Sequence, residues 1–298
     1  MEEKYTYSFI IPHKNCPELL QRCVDSIPVR EDVQIIIVDD NSDADKKPSS
    51  KRENVEVVLL DSKQAKGAGR ARNVGLEHAQ GKWLLFADSD DYYVASLLDA
   101  LDSYKDDDID VLYFGYQHVL VNDRIEIPKY NDILLKYKDD NSYIEKVKYA
   151  LHAPWNKMIR KSFVANYYIR FEEVPNGNDI FFTLQVGMFS KKIAVETTPL
   201  YNYIFQQNSI VNKKKKNNEE MLCKLIHRSQ VIEFRKYIGI NLGKNSNIVY
   251  YLMQILKNQG ASTFFNFVRV YLCNYNKISK ESKNYIRYFV NHGAVSVC

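Results

Sequence analysis

The stretch Val33-Gln34-Ile35-Ile36-Ile37-Val38 is almost wholly apolar and β-branched. A run of that kind reads as a strand buried on both faces. It is one of a series. Ser8–Ile11 predicts a first short strand, Val33–Val38 a second, Val55–Leu60 a third, Trp83–Ala87 a fourth and Val111–Tyr116 a fifth. Helical spacing lies between them. Pro17–Ile27 places Leu19, Leu20, Cys23, Val24 and Ile27 on one face, Arg70–Ala79 is a short helix ended by Gly81, and Ala95–Tyr104 turns Leu97, Leu98 and Leu101 inward. Strands alternating with helices predict an α/β fold, a mostly parallel, Rossmann-like sheet with helices on both faces.

The alternation stops near residue 117. Strand-like pieces at Val119–Ile127, Ile193–Val195 and Tyr201–Phe205 mix with short helices, which predicts a mixed second half on the same sheet. Beyond about 217 the pattern is helical. Phe264, Phe267, Val268, Tyr271 and Tyr275 share one face, read as core with an interfacial helix as the alternative, while Asn266 and Arg269 fall on another. The organisation expected is a domain over 1–210, in two halves, 1–116 and 117–210, and a helical region over 217–298. Lys213-Lys214-Lys215-Lys216 marks the boundary. That run reads as a solvated linker, with closure over a diphosphate or contact with anionic lipid as alternatives.

A net charge of +4 on 298 residues fits an acidic substrate and leaves no broad nucleic-acid footprint. The five cysteines are odd in number, widely spaced and without Cys-x-x-Cys, which argues against a zinc site or a disulfide framework. Cys16 and Cys23 stand seven apart on a predicted helix, roughly 10 Å along its axis, too far to bridge. A reducing compartment follows. With no signal-peptide pattern and no run of eighteen apolar residues, the expectation is a cytoplasmic protein without a membrane span.

The chemistry-bearing residues cluster where strands end. Trp83-Leu84-Leu85-Phe86-Ala87 runs into Asp88-Ser89-Asp90-Asp91. Carboxylates there sit at the carboxyl edge of the sheet, where open α/β sheets bind ligands. Without a lysine beside them they suit a hard divalent cation such as Mg²⁺, completed by substrate phosphates, with helix capping as the alternative. Strand two ends in Asp39-Asp40-Asn41-Ser42, a group suited to hold a base or ribose, or simply to make a turn. Gly67 to Gly75 opens a helix after strand three, where a helix N-terminus favours anions, and Arg70 and Arg72 either add charge there or form a solvated helix face. It is neither a Walker loop nor a dinucleotide fingerprint. Asp179 follows Gly177-Asn178 and precedes an apolar helix, the position of an N-cap. Ala153-Pro154-Trp155-Asn156-Lys157 sets an aromatic and a cation together. Trp155 reads as a core residue, with stacking on a sugar face as the alternative.

In this order the segments resemble the family 2 glycosyltransferases with the GT-A fold. The matching stretches are Ser8–Pro12, Ile36–Ser42, Gly67–Gly75 with Ala71-Arg72-Asn73, Phe86–Asp91, Trp155–Lys157 and Gly177–Asp179, within roughly residues 5–210. The resemblance implies that Pro12, Asp39, Asp40, Arg72, Asp88 and Ser89 line the nucleotide pocket, with Asp39 reading the base. It implies that Asp90 holds Mn²⁺ or Mg²⁺ with Asp88 beside it, and that Asp179 is the general base. Trp155, Lys157, Gly177 and Asn178 fall where the family builds its donor and acceptor walls. Three positions depart from the pattern. Lys14 replaces an aromatic, Asn41 a glycine, and Asn178 an acidic residue.

The function expected is a metal-dependent, inverting glycosyltransferase of surface polysaccharide assembly. Its donor would be a nucleotide sugar, UDP-linked by resemblance, and its acceptor a glycan or a lipid-linked hydroxyl. The C-terminal helices are expected to make peripheral contact with the inner face of the membrane. Two rivals stand beside this reading. A sugar-1-phosphate nucleotidyltransferase wants a Gly-rich basic loop after strand one, where the chain has Pro12-His13-Lys14-Asn15. A catalytically silent binding scaffold draws its support from Asn178.

Overall fold

The computed structural model describes residues 3–120, 123–174, 177–205, 218–237, 239 and 247–293. The chain divides into two compact units, Met1–Gln206 and Gln207–Cys298.

Among the described residues, the first unit is built on one nine-stranded sheet. Its left half is parallel. Strands β1 (Tyr5–His13), β2 (Val33–Asp39), β3 (Val55–Leu59) and β4 (Gly81–Phe86) lie in the order β3-β2-β1-β4. All seven residues of β2 are buried, as its unbroken apolar run requires. Each Ile or Val taken out of water there stabilises by about 1.5–3 kcal/mol. Helices α1 (Pro17–Asp25) and α2 (Ala68–His78) connect these strands. Proline begins α1, where its missing N–H costs nothing, and so Cys16 is the N-cap rather than a helical residue.

The right half corrects the simple parallel expectation. The fifth predicted strand is present as β6 (Val111–Val119), but it does not lie beside β4. A short strand, β8 (Lys157–Arg160), runs antiparallel between them and pairs with both. The segments at 193–195 and 201–205 are one strand, β9 (Ile193–Ile204), parallel to β6 with a register irregularity beside Gly115. The edge strand is β5 (Tyr92–Tyr93), antiparallel to β9. The expected strand at Val119–Ile127 is instead the end of β6, a turn with Asp123 at φ 57°, and a two-residue β7 (Ile125–Glu126) folding back on β6. Helices α3 (Leu97–Asp102), α4 (Lys129–Asp139), α5 (Ile144–Tyr149), α6 (Lys161–Asn166) and α7 (Ile180–Phe189) complete the unit.

The insertion of β8 decides the fate of two predicted wall residues. Lys157 is fully buried, its Nζ donating to the Ala153 carbonyl (2.6 Å) and to Asn156 Oδ1 (2.7 Å). Trp155 is 5% exposed and stacks on Tyr201, with ring centroids 4.6 Å apart and planes 7° apart. Lys157 opens a strand that pairs with both β4 and β6, and Trp155 packs on Tyr201, so both side chains lie in the interior of the unit.

The second unit contains α8 (Asn218–Tyr237), α9 (Ile248–Gln259), α10 (Ala261–Cys273) and α11 (Tyr275–Gly293). Its core gathers Met221, Leu225, Leu252, Ile255, Phe267, Val270 and Ile278, with Phe264, Val268 and Tyr271 against it. Tyr275, expected on that face, opens the next helix and is exposed. The Lys213–Lys216 run lies outside the described residues. No described helix is long and apolar enough to cross a membrane.

Burial pushes the Lys157 ammonium down to about 7 from its ordinary 10.5, with Asp179 opposing the shift. Below the lower value both folded and unfolded chains hold this proton. Between the two values the unfolded chain holds more, so stability rises with pH there. Urea denaturation should show a gain of roughly 1–3 kcal/mol from slightly acid to mildly alkaline pH. Lys157→Met should flatten that rise.

Candidate active site

Parallel pairing sets three strand ends at one edge. His13 stands in register with Asp39, and Ile10 with Phe86, two residues before Asp88. The last β1–β4 bond runs from the Ala87 N–H to the Ile10 carbonyl. Pro12, two residues on, turns its backbone to that same side, past the end of pairing, so its missing N–H breaks no ladder bond. It is buried.

Asp39 is fully buried and both its oxygens are engaged. Oδ1 lies 2.8 Å from His13 Nδ1 and accepts from Ser42 Oγ at 2.5 Å, while Oδ2 accepts the Ser42 N–H at 2.9 Å. The Cys16 N–H donates to His13 Nε2, which leaves the ring proton on Nδ1 for Asp39. Burial alone would raise this carboxyl, but the Ser42 and His13 bonds outweigh it and hold it below the ordinary range. In this structure Asp39 ties the turn together. Its neighbour Asp40 reaches the next segment, accepting from the Gly67 N–H at 3.0 Å and lying 3.3 Å from Lys14 Nζ. Gly67 adopts φ 87°, a conformation open to glycine, and begins α2. Asn41 has φ 59°, left-handed, which asparagine tolerates better than most residues.

After β4 the chain turns sharply, the Asp91 N–H bonding the Asp88 carbonyl at 3.0 Å. The three aspartates then part company. Asp91 is 1% exposed, accepting from the Tyr201 hydroxyl (2.9 Å) and the Ile204 N–H (2.7 Å). Burial first, then the Asp88 charge, raises it well above the usual carboxylate range. It is a strut. Asp88 and Asp90 are partly exposed. The Asp88 N–H donates to the Tyr201 hydroxyl, and its Oδ1 accepts from Arg72 Nη2 at 2.5 Å. Asp90 is raised by burial and by the Asp88 charge. Ser89 Oγ is 3.2 Å from Cys16 Sγ.

The segment leading to Asp179 is held on α2. Asn73 Nδ2 donates to the Phe171 carbonyl and Asn73 Oδ1 accepts the Phe171 N–H, each at 2.9 Å. Lys66 and Arg70 both reach Glu173. Gly69 permits the close approach, for a Cβ there would meet the Glu172 carbonyl oxygen at 2.0 Å. Phe171 stacks on Phe182 at 3.8 Å, and both meet Phe86 edge-on. One aromatic cluster thus joins the end of β4 to the start of α7. Arg72, 5% exposed, closes the arrangement, donating Nη1 to Asn178 Oδ1 at 2.7 Å while Nη2 holds Asp88.

Asp179 takes the N-cap position of α7, yet its side chain makes no capping bond. Asp179 is half-buried. Burial raises it, while the Arg72 cation pulls the other way. Gly177 precedes it at φ 73°. An uncharged amide at 178 keeps the Arg72 bond without setting a second anion beside Asp179.

Asp88 and Asp90 fit a divalent cation. Mutual repulsion of two partly buried carboxylates is what such an ion relieves, and a two-carboxylate site completed by phosphates is the usual Mg²⁺ arrangement. Among the described residues, no group of three or more His, Cys, Asp or Glu is set for a metal. The structure also brings in residues that local sequence reading left aside. Asn73 lay within a quoted motif, but its pairing with Phe171 has no local signal. Tyr201 lies 113 residues from Asp88.

A family model described as "Glycosyl transferase family 2" matches residues 8–167. EpsH of Bacillus subtilis (strain 168) is 25% identical over 287 residues, 88% of this chain and 80% of that protein. The GalNAc(5)-diNAcBac-PP-undecaprenol beta-1,3-glucosyltransferase of Campylobacter jejuni is 26% identical over 240 residues, 76% of this chain and 74% of that one. Other relatives are longer, and the chain spans 31% and 32% of two of them. Among solved structures, S. aureus TarS 1–349 in complex with UDP-GlcNAc superimposes with TM-score 0.58 at 19% identity, over 94% of this chain and 92% of that one. The fold is that of GT-A glycosyltransferases with a C-terminal helical region.

Tyr201→Phe removes one hydroxyl that serves both the Asp88 N–H and Asp91. Chemical denaturation should show a loss of about 1–3 kcal/mol, the cost of buried polar groups left unpaired. A loss near zero would show that water replaces the hydroxyl.

Proposed function

The chain belongs to glycosyl transferase family 2, and on that premise we propose that it moves a sugar from a nucleotide-diphosphate donor, a UDP-sugar, to an acceptor hydroxyl with inversion. The acceptor class proposed is a glycan or lipid-linked sugar of surface polysaccharide assembly. One observation carries the reading. Arg72 contacts Asp88 on one side and Asn178 on the other, drawing the Asp88–Asp90 turn and Asp179 to a single edge. The TarS complex with UDP-GlcNAc supports the donor class, and the undecaprenol-linked substrate in the Campylobacter relative's name supports the acceptor class.

The chemistry follows from the positions. Asp179 accepts the proton of the acceptor hydroxyl as its oxygen attacks the anomeric carbon. The bond from that carbon to the diphosphate oxygen breaks on the opposite face, and its electron pair leaves with the diphosphate. A single displacement with one base inverts the centre. Asp90 with Asp88 would hold Mn²⁺ or Mg²⁺, which when bound neutralises the departing diphosphate. Arg72 adds fixed positive charge beside Asp88. Asp40, Lys14 and the Gly67 turn form the side of the edge proposed to face the nucleoside, with Pro12 and Asp39 behind it and Ser89 beside the phosphates. Holding both substrates in line supplies the rest of the acceleration.

Asp179→Asn should lower turnover by about 10²–10⁴ with UDP affinity unchanged, measured by single-turnover transfer and calorimetry. Unchanged turnover would remove Asp179 from the base role. A chain that binds UDP yet transfers nothing in any protonation state would instead be the silent scaffold. In the wild-type protein, activity should fall with acid as Asp179 protonates. Because burial raises this carboxyl, the acid limb of kcat/KM should lie above the ordinary aspartate value.

Thermal melting with UDP should rise further when Mn²⁺ is added, by about 2.7 kcal/mol of apparent stability at a hundredfold excess over Kd. Asp90→Ala should lose the metal's increment and keep part of the nucleotide's. A metal increment that survives Asp90→Ala would place the ion elsewhere.

A further inference from the structure

The two units carry opposite charge. Residues 207–298 hold fifteen Lys and Arg against four Asp and Glu, a net of +11, whereas residues 1–206 hold 26 against 33, a net of −7. The chain's modest +4 hides this division. Among the described residues of the second unit, the basic side chains concentrate on the outside, with Lys257, Arg269, Lys277, Lys280, Lys283 and Arg287 all exposed.

Helices α9 and α10 pack side by side, and each has two distinct stripes. Leu252 and Ile255 of α9, with Phe267 and Val270 of α10, enter the core. The outward stripe of α9 is Val249, Met253 and Lys257, spaced four apart as on one helical face. On α10 it is Phe265, Arg269 and Leu272. The apolar members are left in water, with Val249 59%, Met253 50%, Phe265 66% and Leu272 68% exposed. Large apolar side chains sharing one stripe with cations are the pattern of a helix that lies in a lipid headgroup layer.

We propose that this outward face of α9 and α10 docks on an anionic bilayer surface. Charge selects the occupant. A second copy meeting it through the same face would press like charges together, at +11 against +11. A nucleic acid would meet the cations but leave Val249, Met253 and Leu272 without an apolar partner. An anionic membrane answers both, its headgroups meeting Lys257 and Arg269 while the acyl boundary receives Phe265 and Leu272. No described helix is apolar enough to span, so the contact lies along the surface. The inference stands on charge and exposure and does not need the transfer reaction, so either can fail alone.

The test is flotation of the full chain with phosphatidylcholine vesicles, with and without phosphatidylglycerol, at low and high salt. The expected result is flotation with the anionic vesicles alone, weakened by salt as the Debye length shrinks from about 10 Å to about 3 Å. Phe265→Ser/Leu272→Ser should release the chain while leaving its UDP affinity unchanged. Lys257→Gln/Arg269→Gln alters solvated positions only and should weaken binding by about fivefold for each basic residue removed. The proposal is overturned if the chain does not float with anionic vesicles, or if both variant pairs float as the native chain does. Capture by soluble polyphosphate with no vesicle binding would overturn it equally, in favour of a polyanion site.

Discussion

One guanidinium holds the candidate site together. Arg72 is nearly buried, and its two terminal nitrogens take partners from segments far apart in sequence, a carboxylate at Asp88 and an amide at Asn178. The planar fork of arginine allows this, because its donors diverge at fixed angles and a lysine ammonium would offer no such reach. A cation in so enclosed a place also answers the charge of the aspartates around it. It bonds Asp88 directly and opposes the rise that burial and the Asp88 charge impose on Asp179. The Phe86–Phe171–Phe182 cluster beneath is the apolar counterpart, fixing by packing what Arg72 fixes by charge.

Around that centre the acidic groups divide into those committed to the protein and those left for a ligand. Asp39 and Asp91 are buried, with both oxygens of each bonded to protein donors. Asp88, Asp90 and Asp179 are partly exposed, and burial raises Asp90 and Asp179. On the proposed reading, a divalent cation arriving with the anionic donor would relieve the repulsion between Asp88 and Asp90. The structural carboxylates hold the turns, and of the others Asp88 is tied to the protein through its carboxylate, by Arg72.

The parallel half of the fold was legible because each strand there is a continuous apolar run, and such runs admit few other placements. The carboxyl-edge cluster followed from it, since parallel strands must end together. What escaped reading depended on pairings distant in sequence. The strand β8 (Lys157–Arg160) is only four residues long and opens on a lysine, which carries no sign of burial, whereas Trp155 before it was already legible as a core residue. Asp39 illustrates the same difficulty at atomic scale. The sequence places it at the edge, but only coordinates show that His13 and Ser42 occupy both oxygens. Asp179 went the other way. Its position promised a helix cap, and the structure withholds the capping bond.

The Tyr201 hydroxyl, joined to the Asp88 amide and to Asp91, has a consequence for how the protein comes into being. All the candidate site residues lie between Pro12 and Asp179, so a ribosome has delivered every one of them before Tyr201 and Ile204 emerge. Until β9 pairs with β6 and slides those two residues under the aspartate turn, the turn lacks its strut. Contacts so distant along the chain form late. The nascent protein therefore carries its full complement of acidic groups for a time without the geometry to use them, and competence arrives with the last strand of the sheet.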